Sequence, residues 1–393
     1  MALIQIADPR PRRRQAGPRF ALWDLGFRPF YLLASSFAAV SVLLWALQFS
    51  GLLPLAYLHG PLWHAHEMLF GFALAVVTGF LFTAGRNWTG QATPSGHWLA
   101  AMALLWVLGR VSVWLPYAGL AAALNLAFPL AAALGLGLPL YRARNRRNYF
   151  FVVLLVLMAL GELVLHLGAM GVLRIPGWAG IGLGLDAMLI MLSVMAGRVI
   201  PMFTNNGVPG AKAQRKDRLE QAALAGVVLV LLFDSAHATR WPMALLLTLV
   251  AMLHLARWWL WQPWKTLRTP LVWVLHLAYA WIPVHLLLRA MAEFDWVASS
   301  VATHALTAGA IGCMVIGMMT RTALGHTGRP LRAGTTELLC YVLVAAAGLV
   351  RVVLPLLAPQ WLLQAVLVSA LLWAAGFGLY ALRYWRILAW DTV

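Results

Sequence analysis

Long apolar runs, each about as long as a bilayer core is thick, repeat along the chain with short polar breaks between them. Windows of 18 or more mainly apolar residues predict twelve transmembrane helices. They fall near 30–50, 65–84, 98–115, 118–140, 150–171, 178–203, 219–236, 241–260, 271–291, 299–321, 336–356 and 361–382. The longest connection runs from about Thr204 to Leu219. It contains Asn205-Asn206-Gly207-Val208-Pro209-Gly210, turn chemistry expected to stop the sixth helix. The fold class is therefore all-α: a polytopic membrane protein with about twelve transmembrane helices in one bundle, residues 20–393, behind a basic arm at 1–19. That arm carries no small-residue cleavage site before the first helix, so the helix reads as an anchor and not a signal peptide.

Composition agrees with the pattern. Of 393 residues 62% are hydrophobic and only 10% charged, too few charges to cover a soluble globule. The net charge of +17 raises the question of nucleic acid. Its placement answers it. Arg10, Arg12, Arg13, Arg14, Arg19 and Arg28 precede or open the first helix. Arg142, Arg144, Arg146 and Arg147, then Lys212, Arg215, Lys216 and Arg218, then Lys265, Arg268, Arg329 and Arg332 fall in alternate connections. The other connections hold chiefly Arg174, Arg240, Glu293 and Asp295. This is the positive-inside distribution, which puts both termini in the cytoplasm and makes the basic excess a matter of topology. The expected partner is membrane lipid, with the arm on the anionic inner leaflet, and no nucleic acid. The 20 tryptophans, among them Trp258, Trp259, Trp261 and Trp264, cluster near helix ends as an interfacial belt would. The two cysteines, Cys313 and Cys340, sit inside separate helices. They exclude a disulfide framework and a Cys-rich zinc or iron–sulfur site.

Topology sorts the polar groups by depth. His64, His66 and Glu67 lie at the outer end of the second helix, His166 near the outer end of the fifth, and His304 one to two turns below the outer surface on the tenth. His285 is also in the outer half. His254, His276 and His326 form an inner layer. His304 and His326 are roughly 33 Å apart along a helix, so one metal cannot take both. Charged and ionisable side chains at these depths are costly to bury and point to function. Imidazole is the commonest ligand for haem iron, copper and zinc. Glu162 and His166 are i,i+4 on one face, the spacing at which a carboxylate orients a ligating ring; an ion pair without metal is the bland alternative. His64 and Glu67 are i,i+3 and are positioned for a similar pair. His64 and His66 are i,i+2, about 200° apart on a regular helix. Either the helix begins irregularly there, or the two rings serve different centres. The tenth helix carries a stripe of Gly309, Gly312 and Gly317, suited to close helix packing or to a flat porphyrin. Arg321 and Arg198 stand near inner helix ends, placed either to snorkel to headgroups or to hold propionates. His59, His97 and His237 sit at loops or helix ends and are expected to be solvated.

Several strings taken together are more specific than any one of them. Phe27-Arg28-Pro29-Phe30, Trp63-His64-Ala65-His66-Glu67-Met68-Leu69-Phe70-Gly71, Asn87-Trp88-Thr89-Gly90 and Gly197-Arg198-Val199-Ile200-Pro201 with Asn205 resemble the NnrS family of membrane haem–copper proteins. So do Trp273-Val274-Leu275-His276, His304-Ala305-Leu306-Thr307, and Met319-Thr320-Arg321 through Gly325-His326-Thr327-Gly328-Arg329. The resemblance implies a twelve-helix protein of the bacterial inner membrane carrying haem, expected to be b-type, and copper. It also implies a role in nitric oxide metabolism, denitrification or nitrosative stress. On that basis His64, His66, His166 and His304 are the expected outer metal ligands, with Glu67 and Glu162 as catalytic, proton-carrying groups. His254, His276 and His326 are expected to hold an inner haem, with Arg198 and Arg321 at its propionates. The expected function is the handling of nitric oxide, up to its reduction as an oxidoreductase fed by an unidentified electron donor. The alternative is a non-catalytic transporter or sensor of haem, copper or nitrosyl-iron species.

Overall fold

The computed structural model describes residues 19–53, 57, 58 and 60–391. His59 and residues 1–18 of the basic arm lie outside them. Among the described residues the chain forms twelve long helices: α1 (Phe27–Phe49), α2 (Gly60–Thr89), α3 (Gly96–Ser112), α4 (Ala118–Arg142), α5 (Tyr149–Ala169) and α6 (Trp178–Gly207). These continue as α7 (Asp217–Ser235), α8 (Trp241–Leu260), α9 (Pro270–Ala292), α10 (Ser299–His326), α11 (Thr335–Leu357) and α12 (Leu362–Ala389). Ten are long and apolar enough to cross a membrane. The other two are α3, with 17 residues, and α7, whose inner end carries Asp217, Arg218 and Glu220.

An even number of crossings returns the chain to the face where it started. There β1 (Arg19–Phe20) pairs antiparallel with β2 (Trp390–Asp391), and Arg28 donates to the Leu388 carbonyl at 2.9 Å. The first and last helices pack along each other, so the ends of the fold are clasped. We call this face, which also carries the basic connections, the inner face.

The helices α2, α6, α9 and α10 are the most enclosed and form the centre of the bundle. Backbones in and around it approach closely. A Cβ on Gly180 of α6 would collide with the Gly161 carbonyl of α5, and one on Gly161 would lie 2.8 Å from the Gly180 carbonyl. The glycine stripe of α10 is used for packing: the Trp281 ring fills the space beside Gly309, Trp373 that beside Gly312, and Val274 with Leu275 that beside Gly317.

Two departures from regular helix are specific. In α2, residues Glu67–Ala73 wind as a π-helix directly after His66, and in α10 residues Ala305–Ile311 do so directly after His304. Single π turns rotate the face a helix presents and are frequent at functional sites. The sixth helix runs on to Gly207 instead of stopping near residue 203. The Asn205 side chain accepts from the Ala213 N–H at 2.7 Å and donates to the Ala213 carbonyl at 3.0 Å, so the turn chemistry closes the following loop from within the last helical turn. Trp261 is fully buried against Tyr279 and Arg257, and so does not belong to an interfacial belt.

Candidate metal centre

Three ligand-type side chains converge between α2 and α5. One atom each from His66, Glu162 and His166 lie within 4.8 Å of one another, and all three residues are buried. His66 Nε2 is 3.4 Å from Glu162 Oε1, but the contact lacks hydrogen-bond geometry. Both carboxylate oxygens of Glu162, His66 Nε2 and His166 Nε2 have no hydrogen-bond partner. Leaving four such atoms unmade at one buried point costs about 1–3 kcal/mol each, unless something there satisfies them. A transition ion with bonds of about 2.0–2.2 Å holds tetrahedral ligands about 3.4 Å apart, so a small contraction would close the set on one ion. Two imidazoles and a carboxylate suit copper, zinc or iron.

The opposite edge of each ring is already held. His66 Nδ1 donates to Glu67 Oε1 at 2.7 Å. His166 Nδ1 is 3.0 Å from the Tyr57 hydroxyl, whose own proton has the His166 carbonyl oxygen within 3.5 Å. Burial pushes the Tyr57 phenol up to about 12, so it stays protonated at neutral pH. A proton on each Nδ1 leaves each Nε2 lone pair facing the shared point, which is how hydrogen-bonded histidines are oriented toward a metal. Glu67 is in turn paired with Arg110 at 2.8 Å, and Arg110 with the Asn125 amide oxygen. Asn125 donates to the Ala121 carbonyl at 2.8 Å. Gly71 makes room for this pair, since a Cβ there would lie 2.7 Å from an Arg110 nitrogen.

His64 turns away from this cluster. Its ring lies nearly parallel to that of His304, 9° between planes, with centroids 6.1 Å apart, and it also stacks on Trp45 with centroids 4.7 Å apart. His304 Nδ1 donates to the Ser300 carbonyl at 2.6 Å, which leaves the lone pair on Nε2. Both rings line an apolar cavity of about 480 Å³ between α1, α2, α6, α10, α11 and α12, with the Arg351 guanidinium in its wall. One Arg351 nitrogen, NH1, is buried without a hydrogen bond.

The expected outer residues thus fall into two adjacent places: His66, His166 and Glu162 in one, His64 and His304 in the other. Glu67 is bonded to His66 and Arg110, not to His64, and the ring-orienting partner of His166 is Tyr57, not Glu162. The inner residues are spread out. His326, Arg198 and Arg321 line one inner cavity, which neither His254 nor His276 lines. His254 Nδ1 bonds the Tyr279 hydroxyl at 2.7 Å, in a network in which Arg257 joins Tyr279 to Glu220. His276 Nε2 bonds the Thr204 hydroxyl at 2.8 Å. His285 donates to the Ala302 carbonyl at 2.7 Å, bracing α9 against α10. Sequence reasoning overlooked Arg110, Arg351 and Tyr57. The two arginines carried a signal, a lone cation within an apolar helix. Tyr57 carried none.

The family model of the NnrS protein matches residues 21–390, nearly the whole chain. No curated protein matches the chain significantly. The twelve-helix bundle, the buried His–Glu cluster and this match agree, and the chain belongs to the NnrS family.

Proposed function

We propose that the protein handles nitric oxide at two neighbouring metal groups in the outer half of the bilayer: a copper or related first-row ion on His66, His166 and Glu162, and a haem between His64 and His304. The observation that carries this reading is the set of buried, unbonded Nε2 and carboxylate atoms at one point. The parallel imidazoles at 6.1 Å support it, as does an apolar cavity that a neutral diatomic gas dissolved in lipid can enter.

When bound, such metals would supply electrons, and the ion held by only three protein groups would have room for a diatomic ligand. The chain supplies the rest. Two NO, two electrons and two protons make one N₂O and one water, so a reductase needs an external one-electron donor and a proton route. Glu162 is the acid–base group nearest the centre. Glu67 follows it, with Oε2 buried and unbonded and Oε1 shared by His66 and Arg110. Arg110 offsets one carboxylate, which keeps the desolvated site from accumulating negative charge. His64 and His66, two residues apart on opposite faces of α2, tie both groups to a single helical turn.

Metal analysis, optical spectra and NO consumption by the purified protein with an artificial electron donor test this reading. His166→Ala is expected to remove the non-haem ion and leave the haem spectrum. His304→Ala is expected to change the haem spectrum and leave the ion. Both metals unchanged in both variants would refute the two-centre site. Exchangeable metal with no NO turnover would instead assign the protein to transport or sensing.

A further inference from the structure

A second, larger cavity of about 860 Å³ lies at the inner face between the inner ends of α2, α5, α6 and α10, far along each helix from the centres described above. Arg147, Arg198, Arg215 and Arg321 line it, and among the described residues no carboxylate does. The two deeper cations are held in place by neutral groups. Arg198 donates to Asn148 Oδ1 at 2.7 Å and lies over the Phe150 and Phe151 rings. The Arg321 guanidinium lies 3.7 Å above the Phe203 ring centre, and its Nε is buried without a hydrogen bond. Among the described residues neither is paired with a carboxylate. Arg215, by contrast, lies 3.6 Å from Glu220. The rest of the wall combines apolar side chains, among them Phe80, Val199, Met202 and Met318, with the neutral polar groups of Thr83, Asn87, Asn145 and Thr322 and the His326 ring.

Two oriented guanidinium forks without a carboxylate partner, beside a partly apolar wall, call for anionic groups on a body that is itself partly apolar. A guanidinium fork matches phosphate oxygens two at a time. Basic pockets between transmembrane helices on the inner side are where diphosphate lipid headgroups bind. The volume is far more than one inorganic anion fills. We propose that this cavity is a specific site for an anionic phospholipid, its phosphates on Arg198 and Arg321 and its acyl chains along the apolar side chains of the wall. The site is independent of the proposed metal centres.

Full-length protein reconstituted in phosphatidylcholine nanodiscs tests this, with cardiolipin added in one arm and inorganic phosphate in another. Cardiolipin is expected to raise the thermal midpoint of the native protein and to remain bound in native mass spectra. Arg198→Gln with Arg321→Gln is expected to weaken retention about 30-fold, roughly fivefold for each cation lost. Arg268→Gln, an exposed cation on another inner connection, is expected to leave retention unchanged. Should the Gln pair fail to fold, Arg198→Lys with Arg321→Lys keeps the charge and removes the forks, and several-fold weaker retention is expected. Equal cardiolipin retention in the Gln or Lys pair would overturn the proposal. So would a thermal shift with inorganic phosphate as large as with cardiolipin, or loss of haem with unchanged lipid in the Gln pair.

Discussion

The ion pair between Arg110 and Glu67 offers the sharpest test of how the candidate centre is held together. The two groups are 2.8 Å apart, with side chains 7% and 1% exposed, so neither can turn to water if its partner is lost. At an effective dielectric of 20 their gross attraction is about 6 kcal/mol, most of it offset by desolvation of both. Removing only one partner strands the other. Arg110→Leu is therefore expected to destabilise the protein by about 3–5 kcal/mol. Adding Glu67→Gln removes the stranded charge while its amide oxygen can still accept from His66 Nδ1, so the double variant is expected to recover more than half of that loss. Detergent-titrated unfolding in mixed micelles, read as a double-mutant cycle, measures both quantities. If the double variant is as unstable as the sum of the single ones, Arg110 serves some purpose other than compensating Glu67, and the reasoning fails.

Tyr57→Phe removes the partner of His166 Nδ1 and is expected to weaken metal binding at His66, His166 and Glu162 by about 10–100-fold, measured by competition with a chelator; unchanged affinity would remove Tyr57 from the site. Tyr57 also has a pH signature. With its phenol raised from 10.0 to about 12, the folded protein keeps a proton that the unfolded chain loses between those values. Stability should fall as pH rises through that window, and this component should be absent in Tyr57→Phe. Gly180→Ala places a methyl group against the Gly161 carbonyl and the Leu165 backbone, which must separate α5 from α6. The expected cost is about 1–3 kcal/mol with loss of bound metal, since Glu162 and His166 ride on α5; normal metal content in a folded variant would show that the crossing does not position the site.

The helix count, and with it the shared face of the two ends, was legible because a bilayer imposes a length and an apolar composition on every crossing. The polar residues were legible because ionisable groups inside apolar helices are rare enough to mark themselves. His66, His166, Glu162, His64 and His304 all stood out in this way. Their grouping did not. The i,i+2 spacing of His64 and His66 left two options, and it is the packing of α5 against one face of α2 and of α10 against another that gives each ring a separate neighbour. Glu162 looked like a ring-orienting partner because it lies one turn from His166. Its oxygens instead face His66 across the helix interface, a distance no within-helix spacing encodes.

Chain composition and periodicity determined by themselves that this protein is a membrane bundle of about twelve helices with a basic inner face. They also singled out histidine and carboxylate as the candidate ligand groups, with the two cysteines in separate helices. These are properties of each segment in its solvent, and each segment carries them alone. Tertiary structure decided which atoms meet. It gave His166 a tyrosine from a loop, gave Glu67 an arginine from α3, separated the outer histidines into two groups, and drew Arg198 and Arg321 into one cavity while leaving His254 and His276 in networks of their own. Such pairings depend on helix rotation, on the π turns in α2 and α10, and on how closely Gly161 and Gly180 allow two backbones to approach. Those are properties of contacts between segments, and they exist only once the helices pack.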